Sequence, residues 1–527
     1  MNRDRLLEEA NEHYRRGALV EARAACGRIL QADRAHAGAL TLMAAIAADE
    51  RNGDEGRRLA ALAAAADPAA PGPHYVLGRL CQDEGRLAEA EAHYRRSLAL
   101  KPDQPKAHNN LGAVLQIQGQ LQAAVESYRR ALELDPSLPQ ANQNLASILR
   151  DGAAAQSAIA GFLRLLDENP RDAQAHTDLG NVYRELGRHR DAIASFGRAV
   201  ACDPQLAEAH FACAFELLTC GEYEEGWREY EWRWRVKALN APTQTYREPA
   251  WNGERLPDGT ILLHAEQGFG DTLQAVRYAP LVAERCKAVV LECQPQLKRL
   301  LAGTPGLSSV HAAGEPLPRF DAHLPLMSLP RVFGTQIETI PWTGPYLQPP
   351  ADSAREIRAS SGPNIGLVWA GEPRQGDDRK RSVTLEMLAP LGETSGATFY
   401  SLQKGAGAAQ AASPPAGMRL VDLAPRILDF ADTAAFIAQL DLVVTVDTSV
   451  ANLAGAMGAP TWVLLSSVPD WRYHLERDAT PWYPTMRLFR QPADGDWAGA
   501  IARVAQALRT TSSPFRYSPS GNSSATG

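Results

Sequence analysis

Two short stretches of this chain hold the residue types from which group-transfer chemistry is built. The first reads His264-Ala265-Glu266-Gln267-Gly268-Phe269-Gly270-Asp271-Thr272-Leu273. An apolar, strand-like run leads into it. Gly268 and Gly270 let a ligand approach the backbone closely, and Asp271 stands where a helix opens, beside N–H groups with no partner inside the helix. The stretch is not the G-x-G-x-x-G dinucleotide pattern, and a plain helix-capping carboxylate would also account for Asp271. The second stretch, Val446-Asp447-Thr448-Ser449-Val450-Ala451-Asn452, comes straight off the apolar run Leu442 to Val446. Here a carboxylate, two hydroxyls and a helix N-terminus converge. Free N–H groups and the helix dipole suit a pyrophosphate, while Asp447 suits the hydroxyls of a sugar or ribose. Asp-Thr-Ser also caps helices well, so the plainer role competes with the ligand-binding one.

Such turns need rigid elements behind them, and the surrounding pattern supplies them. TILLHAEQ, AVVLEC, NIGLVWA, ATFYSLQ, DLVVTVD and TWVLLSS are short apolar runs bounded by Gly, Pro, Asp or Ser, with helical stretches between most of them. That alternation predicts parallel sheets with helices on both faces. It breaks at TIPWTGPYLQPPADSAREIRASSGP, which places a hinge between two Rossmann-like halves, 256–350 and 351–510, with a ligand cleft at the carboxyl ends of the strands. The Ser-, Gly- and Pro-rich tail 511–527 is expected to be disordered.

The N-terminal part obeys a different rule. Pro68, Pro102, Pro136, Pro170 and Pro204 stand 34 residues apart, the tetratricopeptide period. Leu77-Gly78, Leu111-Gly112 and Leu179-Gly180 repeat in one helix of the frame, with Ala90, Ala124, Ala158 and Ala192, then Tyr94, Tyr128, Phe162 and Phe196, in the next. Small residues let paired helices approach, the aromatic ring fills the gap, and proline stops the second helix. Weaker frames extend the array over 1–235, an α-solenoid with an extended binding face. Asn110, Asn144 and Asp178 precede the Leu-Gly position in successive frames. An amide both donates and accepts, so such a row can hold an extended polypeptide backbone; solvated surface amides fit the pattern equally well. The row resembles the asparagine ladder of O-GlcNAc transferases. The aromatic run from Glu222, EYEEGWREYEWRWR, reads as a last helix that docks the solenoid on the α/β domain, and 236–255 reads as the junction.

Composition sets outer limits. With 45% hydrophobic and 22% charged residues, the 527-residue chain is globular and long enough for several domains. A net charge of -7 argues against nucleic acid as a partner. The cysteines Cys26, Cys81, Cys202, Cys213, Cys220, Cys286 and Cys293 include no C-x-x-C pair, so no metal site is expected. The charged start MNRDRLLEEANEHYRRG and the lack of a long apolar run point to a cytoplasmic protein without a transmembrane segment.

From about Trp251 to Trp497 the chain resembles the heptosyltransferase-like domain of glycosyltransferase family 9, in the bacterial form fused to tetratricopeptide repeats. LLHAEQGFGDTLQAVRYAPL, IGLVWAG, SLQKGAGAAQ, VTVDTSVANLAGAMGAPTWVLL and PDWRYHLERDATPWYPTMRLFRQP carry the likeness. The resemblance implies a GT-B fold whose C-terminal half binds a nucleotide-sugar co-substrate and whose N-terminal half presents the acceptor. It implies inverting transfer without a metal or other cofactor. On matching positions, Asp271 becomes the general base, Lys404 neutralises the donor phosphates, and Asp447, Thr448 and Ser449 hold the nucleotide and sugar. Arg379, Lys380 and Arg381 are further phosphate candidates, a surface charge run being the other account of them. Where the family usually has histidine, this chain has Asn452, which can hydrogen-bond a phosphate but cannot transfer a proton. The expected function is transfer of a hexosyl- or heptosyl-type sugar to a protein held by the repeats, with Gly268 and Gly270 on the acceptor side. The alternatives are a repeat scaffold with a degenerate transferase fold, and a transferase acting on lipopolysaccharide or polysaccharide.

Overall fold

The computed structural model describes residues 3–135, single positions between 138 and 148, and then 152–236, 246–353, 356–357, 362–371, 381–493 and 495–510. Arg379, Lys380, most of the 236–255 junction before Tyr246, and the tail 511–527 lie outside the described residues. By packing, the chain divides into Met1–Val182 and Tyr183–Gly527. The helical repeat continues past that division, so compactness draws its boundary inside the array, upstream of the sequence-based limit at 235.

In the first unit the helices come in pairs, such as Pro71–Asp83 with Leu87–Leu100 and Pro105–Ile117 with Leu121–Leu134. Proline at the first helical position starts the leading member of both pairs, where its missing N–H costs nothing. The repeated glycine has a steric reason: a Cβ on Gly78 would lie 2.7 Å from the Tyr94 ring, and one on Gly112 would lie 2.8 Å from the Tyr128 ring. A second glycine position recurs in the turn between paired helices. Gly17, Gly85 and Gly119 adopt φ of 76°, 73° and 76° there, and Arg51 takes the same left-handed conformation at 60°.

The second unit opens with three further helices, His189–Cys202, Ala207–Thr219 and Tyr223–Tyr230, and continues into two all-parallel sheets. The first sheet holds β1 (Leu256–His264), β2 (Cys286–Cys293), β3 (Ser309–Ala312) and β4 (Ala322–Pro325) in the order β3-β2-β1-β4. The second holds β5 (Asn364–Val368), β6 (Thr398–Ser401), β7 (Leu420–Asp422), β8 (Leu442–Val446), β9 (Thr461–Leu465) and β10 (Met486–Arg490) in the order β10-β9-β8-β5-β6-β7. The expected parallel α/β layers are thus present, with the chain passing from one sheet to the other between Pro325 and Asn364.

The aromatic helix Tyr223–Tyr230 does not simply cap the repeats. Tyr223, Trp227 and Tyr230 are buried in one core with Trp251, Ile261 and Leu263 of the first sheet region and Trp471 and Trp482 of the second. Trp227 meets Trp471 edge to face at 5.2 Å. The helix Trp497–Thr510 closes the other core, packing Ile501 and Val504 with Ile365, Leu367 and Val444 of the second sheet.

Candidate functional site

Strand order explains why the two Gly/Asp turns are where chemistry can happen. In the first sheet β2 and β3 lie on one side of β1 and β4 on the other; in the second, β6 and β7 lie on one side of β5 and β8 to β10 on the other. Each reversal leaves a crevice at the carboxyl end of its central strands. The 265–271 turn leaves the end of β1, and the 447–449 turn leaves the end of β8 beside β5.

The two turns face each other. A Cβ placed on Gly270 would lie 2.8 Å from Asn452 Nδ2 and 3.9 Å from the Ser449 Cα, so the helix Phe269–Ala275 approaches the helix Ser449–Ala456 closely at Gly270, and a larger residue there would displace the Asn452 amide. Asp271 and Asp447 are then tied together by the PDWRY stretch, which carries the family likeness but to whose residues the sequence reading gave no role. Asp271 Oδ2 accepts from the Gly268 N–H at 2.9 Å, closing the helix start, and its Oδ1 pairs with the Arg472 guanidinium. Arg472 also holds Asp470 at 2.9 Å and donates to Gln274. The next residue, Tyr473, donates its hydroxyl to Asp447 Oδ1 at 2.9 Å. Burial is offset for Arg472 by Asp470 and Asp271, which together hold it firmly charged. For Asp447, burial and then the nearby Asp470 push the carboxyl up to about 6, against the pull of Arg381, Tyr473 and Arg472.

Other expected residues fare differently. Asn452 is buried, its Oδ1 accepting from Tyr483 Oη at 3.0 Å and its Nδ2 reaching the Thr448 carbonyl at 3.3 Å. It fixes the shape of the turn, and Thr448 Oγ1 lies 3.1 Å from Thr445 Oγ1 within the same turn. Lys404 comes after β6, and its Nζ donates to the carbonyls of Ala424 at 2.9 Å and Ile427 at 3.0 Å. It lines a crevice of about 390 Å³ with Gly405, Ala408, Asp422, Ala424 and Pro425, none of which comes from either Gly/Asp turn. Since β6 is separated from β8 only by β5, the Lys404 and Asp447 strand ends stand roughly 10 Å apart along the sheet edge. Arg381 is within electrostatic reach of Asp447. No cluster of His, Cys, Asp or Glu suited to a metal ion occurs among the described residues.

The polar row of the repeats is corrected at its last member. Asp178 forms an ion pair with Arg129 at 2.7 Å, the two side chains being 9% and 11% exposed. Arg129 also donates to the Asp178 carbonyl at 2.8 Å, so this carboxylate is consumed inside the array and is not presented to an acceptor. Asn110 Nδ2 reaches the hydroxyls of Tyr75 and Tyr94 at 3.4 Å each, and Asn144 Nδ2 reaches Asn109 Oδ1 at 3.3 Å. Those bonds are long enough to be exchanged for better partners.

The family model described as tetratricopeptide repeat matches residues 105–138, and that described as TPR repeat matches 78–119 and 180–217. The helical array is built from tetratricopeptide repeats. Protein FlbA of Caulobacter vibrioides is 27% identical over an alignment of 328 residues, and the match covers 57% of this chain and 54% of that protein. The chain therefore spans about half the length of the curated relative it matches. Among solved structures, YrrB, a TPR protein with an unusual peptide-binding site, is 18% identical with a TM-score of 0.24, covering 36% of this chain and 96% of its own. PilF of Pseudomonas aeruginosa is 17% identical with a TM-score of 0.28, covering 39% of this chain and 94% of its own.

The tetratricopeptide arrangement also accounts for histidines that the sequence reading passed over. His108, His176 and His210 lie six residues beyond Pro102, Pro170 and Pro204, and their Nε2 atoms sit 2.9, 3.1 and 3.2 Å from those prolines' carbonyls. Their common offset was the available signal. Arg472 had none beyond its place in the PDWRY stretch, because its partner Asp271 is 201 residues away.

Proposed function

We propose that the chain is a metal-independent inverting glycosyltransferase of the GT-B kind, moving a sugar from a nucleotide-sugar to an acceptor, with the tetratricopeptide repeats presenting a protein acceptor. The observation that carries this reading is the closure of two switch-point turns on each other, with Asp271 and Asp447 linked through Arg472 and Tyr473.

In this reading the acceptor hydroxyl attacks the anomeric carbon, the bond from that carbon to the diphosphate breaks, and the hydroxyl proton passes to Asp271. A carboxylate offers about four lone-pair positions, and Asp271 uses one on each oxygen, leaving capacity for the acceptor O–H. The departing diphosphate gains charge, which Arg472, the N–H groups opening the helix at Ser449 and, after exchanging its carbonyl partners, Lys404 are placed to stabilise. Asp447, its carboxyl raised by burial and Asp470, can donate when protonated as well as accept toward a sugar hydroxyl or phosphate oxygen.

A second reading, a binding scaffold on a degenerate transferase fold, draws on one observation: the Lys404 ammonium already has two carbonyl acceptors. The test is a panel of UDP-, GDP- and ADP-sugars. Thermal stabilisation by one donor and a product mass gain on incubation with acceptor lysate support the enzyme, with Asp271→Asn retaining the stabilisation and losing the product. Absence of any shift or product across the panel leaves the scaffold.

A further inference from the structure

Four consecutive residues of the segment that ties the aspartates have separate partners. Trp471 packs on Trp227, Arg472 pairs with Asp271, Tyr473 donates to Asp447, and His474 Nε2 lies 3.0 Å from the Tyr223 hydroxyl. His474 has φ of 54°, a left-handed conformation that a side chain with a Cβ adopts only when its surroundings hold it there. Those surroundings come from the repeat helices. Its imidazole is within hydrogen-bond reach of the Thr219 carbonyl, and Trp482 Nε1 donates to the same Tyr223 hydroxyl at 3.0 Å. Donation by Trp482 leaves the tyrosine O–H to point at His474 Nε2, which is neutral because burial pushes its imidazole down to about 4.

The other end of the aromatic helix reaches the opposite turn. Tyr230 donates its hydroxyl to Gln267 at 2.9 Å, and Arg233 forms a two-pronged pair with Glu266 at 2.8 and 2.9 Å while also donating to Ser328 at 2.8 Å. Glu266 and Gln267 immediately precede the Gly268 to Asp271 turn. One eight-residue helix with its short extension therefore anchors both segments whose contact brings Asp271 to Arg472.

We propose that Tyr223 is a positioning residue for the paired aspartates, acting through His474, so that the last repeat helix is a working part of the site. The claim rests on the transferase reading only where it concerns rate; the positional part does not. Tyr223→Phe in the full-length chain keeps the ring and deletes the hydroxyl. His474→Gly suits the left-handed backbone and removes the imidazole from the other side of the same bond.

Hydrogen–deuterium exchange read by mass spectrometry is expected to show the peptides covering 470–478 and 268–276 opening about fivefold or more faster in both variants. The repeats of the first unit should keep their protection. Unchanged exchange in both peptides overturns the proposal. With a donor that the unaltered chain uses, kcat falls about tenfold while the donor KM stays within about twofold. Faster exchange with full kcat overturns it equally, since the bond would then be structural only. If the unaltered chain transfers from no donor, the transferase reading fails, and the exchange result alone decides whether Tyr223 positions the segment.

Discussion

The same 34-residue frame is used in two ways along this chain. In the first unit its polar positions turn inward on neighbouring repeats. Arg129 neutralises Asp178, Asn144 reaches Asn109, and many charges pair within one turn of exposed helix, as Arg130 does with Glu133. In the second unit the frame's final helix gives its aromatics to a mixed core, and Arg233, 1% exposed, pairs with Glu266, 3% exposed. A repeat is therefore a neutral geometric unit. What it does depends on whether its last face meets another repeat or a sheet, and the ion pairs on the two sides should differ in energy accordingly.

The largest expected contrast lies in those pairs. Arg233→Met leaves the buried Glu266 carboxyl without its counter-charge, and should lower the stability of the second unit by about 3–5 kcal/mol in denaturant melts. Arg130→Ala, which removes an exposed pair, should cost under about 1 kcal/mol. Equal losses would erase the distinction. Replacing both members of the buried pair, Arg233→Met with Glu266→Leu, should recover much of the loss.

Two buried aspartates sharpen the comparison next. Burial raises both Asp447 and Asp178, but Arg129 stands against Asp178 alone as a full ion-pair partner. A carboxyl raised in the folded state favours folding below its unfolded value near 3.8, and that contribution is lost as pH rises through about 6 for Asp447. Asp447→Asn should accordingly stabilise the chain at pH 7.5 by on the order of 1–3 kcal/mol and have little effect at pH 4. Asp178, also raised by burial despite Arg129, carries the same sign, and Arg129→Met, which strips its counter-charge, should destabilise the chain more at pH 7.5 than at pH 4. Melts across that pH range read both, and a pH-independent Asp447→Asn effect would contradict the assigned cause.

Smaller effects probe the repeat frame itself. Gly112→Ala puts a methyl group against the Tyr128 ring and should cost about 1–3 kcal/mol. Arg51→Gly removes a side chain from a left-handed turn and should stabilise by about 0.5–1 kcal/mol, read as a raised melting midpoint. A loss of stability there would mean that Arg51 contributes contacts outweighing its backbone strain.

How far the sequence was readable depends on which features are local. The prolines, the Leu-Gly pairs and the two Gly/Asp turns depend on residues within a few positions of one another, and the helices and strands fall where those patterns predict. That Asp271 and Asp447 share one cleft was expected from the two-half architecture and the family likeness rather than from spacing. Arg129 with Asp178 was not, because an ion pair between residues 49 apart leaves no trace in spacing. Nor was the role of the Trp471 to His474 segment, which the sequence reading used only for likeness and whose residues matter through partners in three other parts of the second unit. Lys404 was placed by likeness, and only the structure shows what its ammonium already holds.

The burial of Tyr223, Trp227 and Tyr230 among Trp471 and Trp482 carries a practical consequence for anyone wishing to prepare the sheet-bearing part in isolation. A cut at the apparent end of the helical array, near 235, would strip three rings from their seats and bare a sticky tryptophan surface prone to precipitate. Starting instead upstream of the helix Ala173–Glu185 keeps those rings in place and leaves that repeat whole.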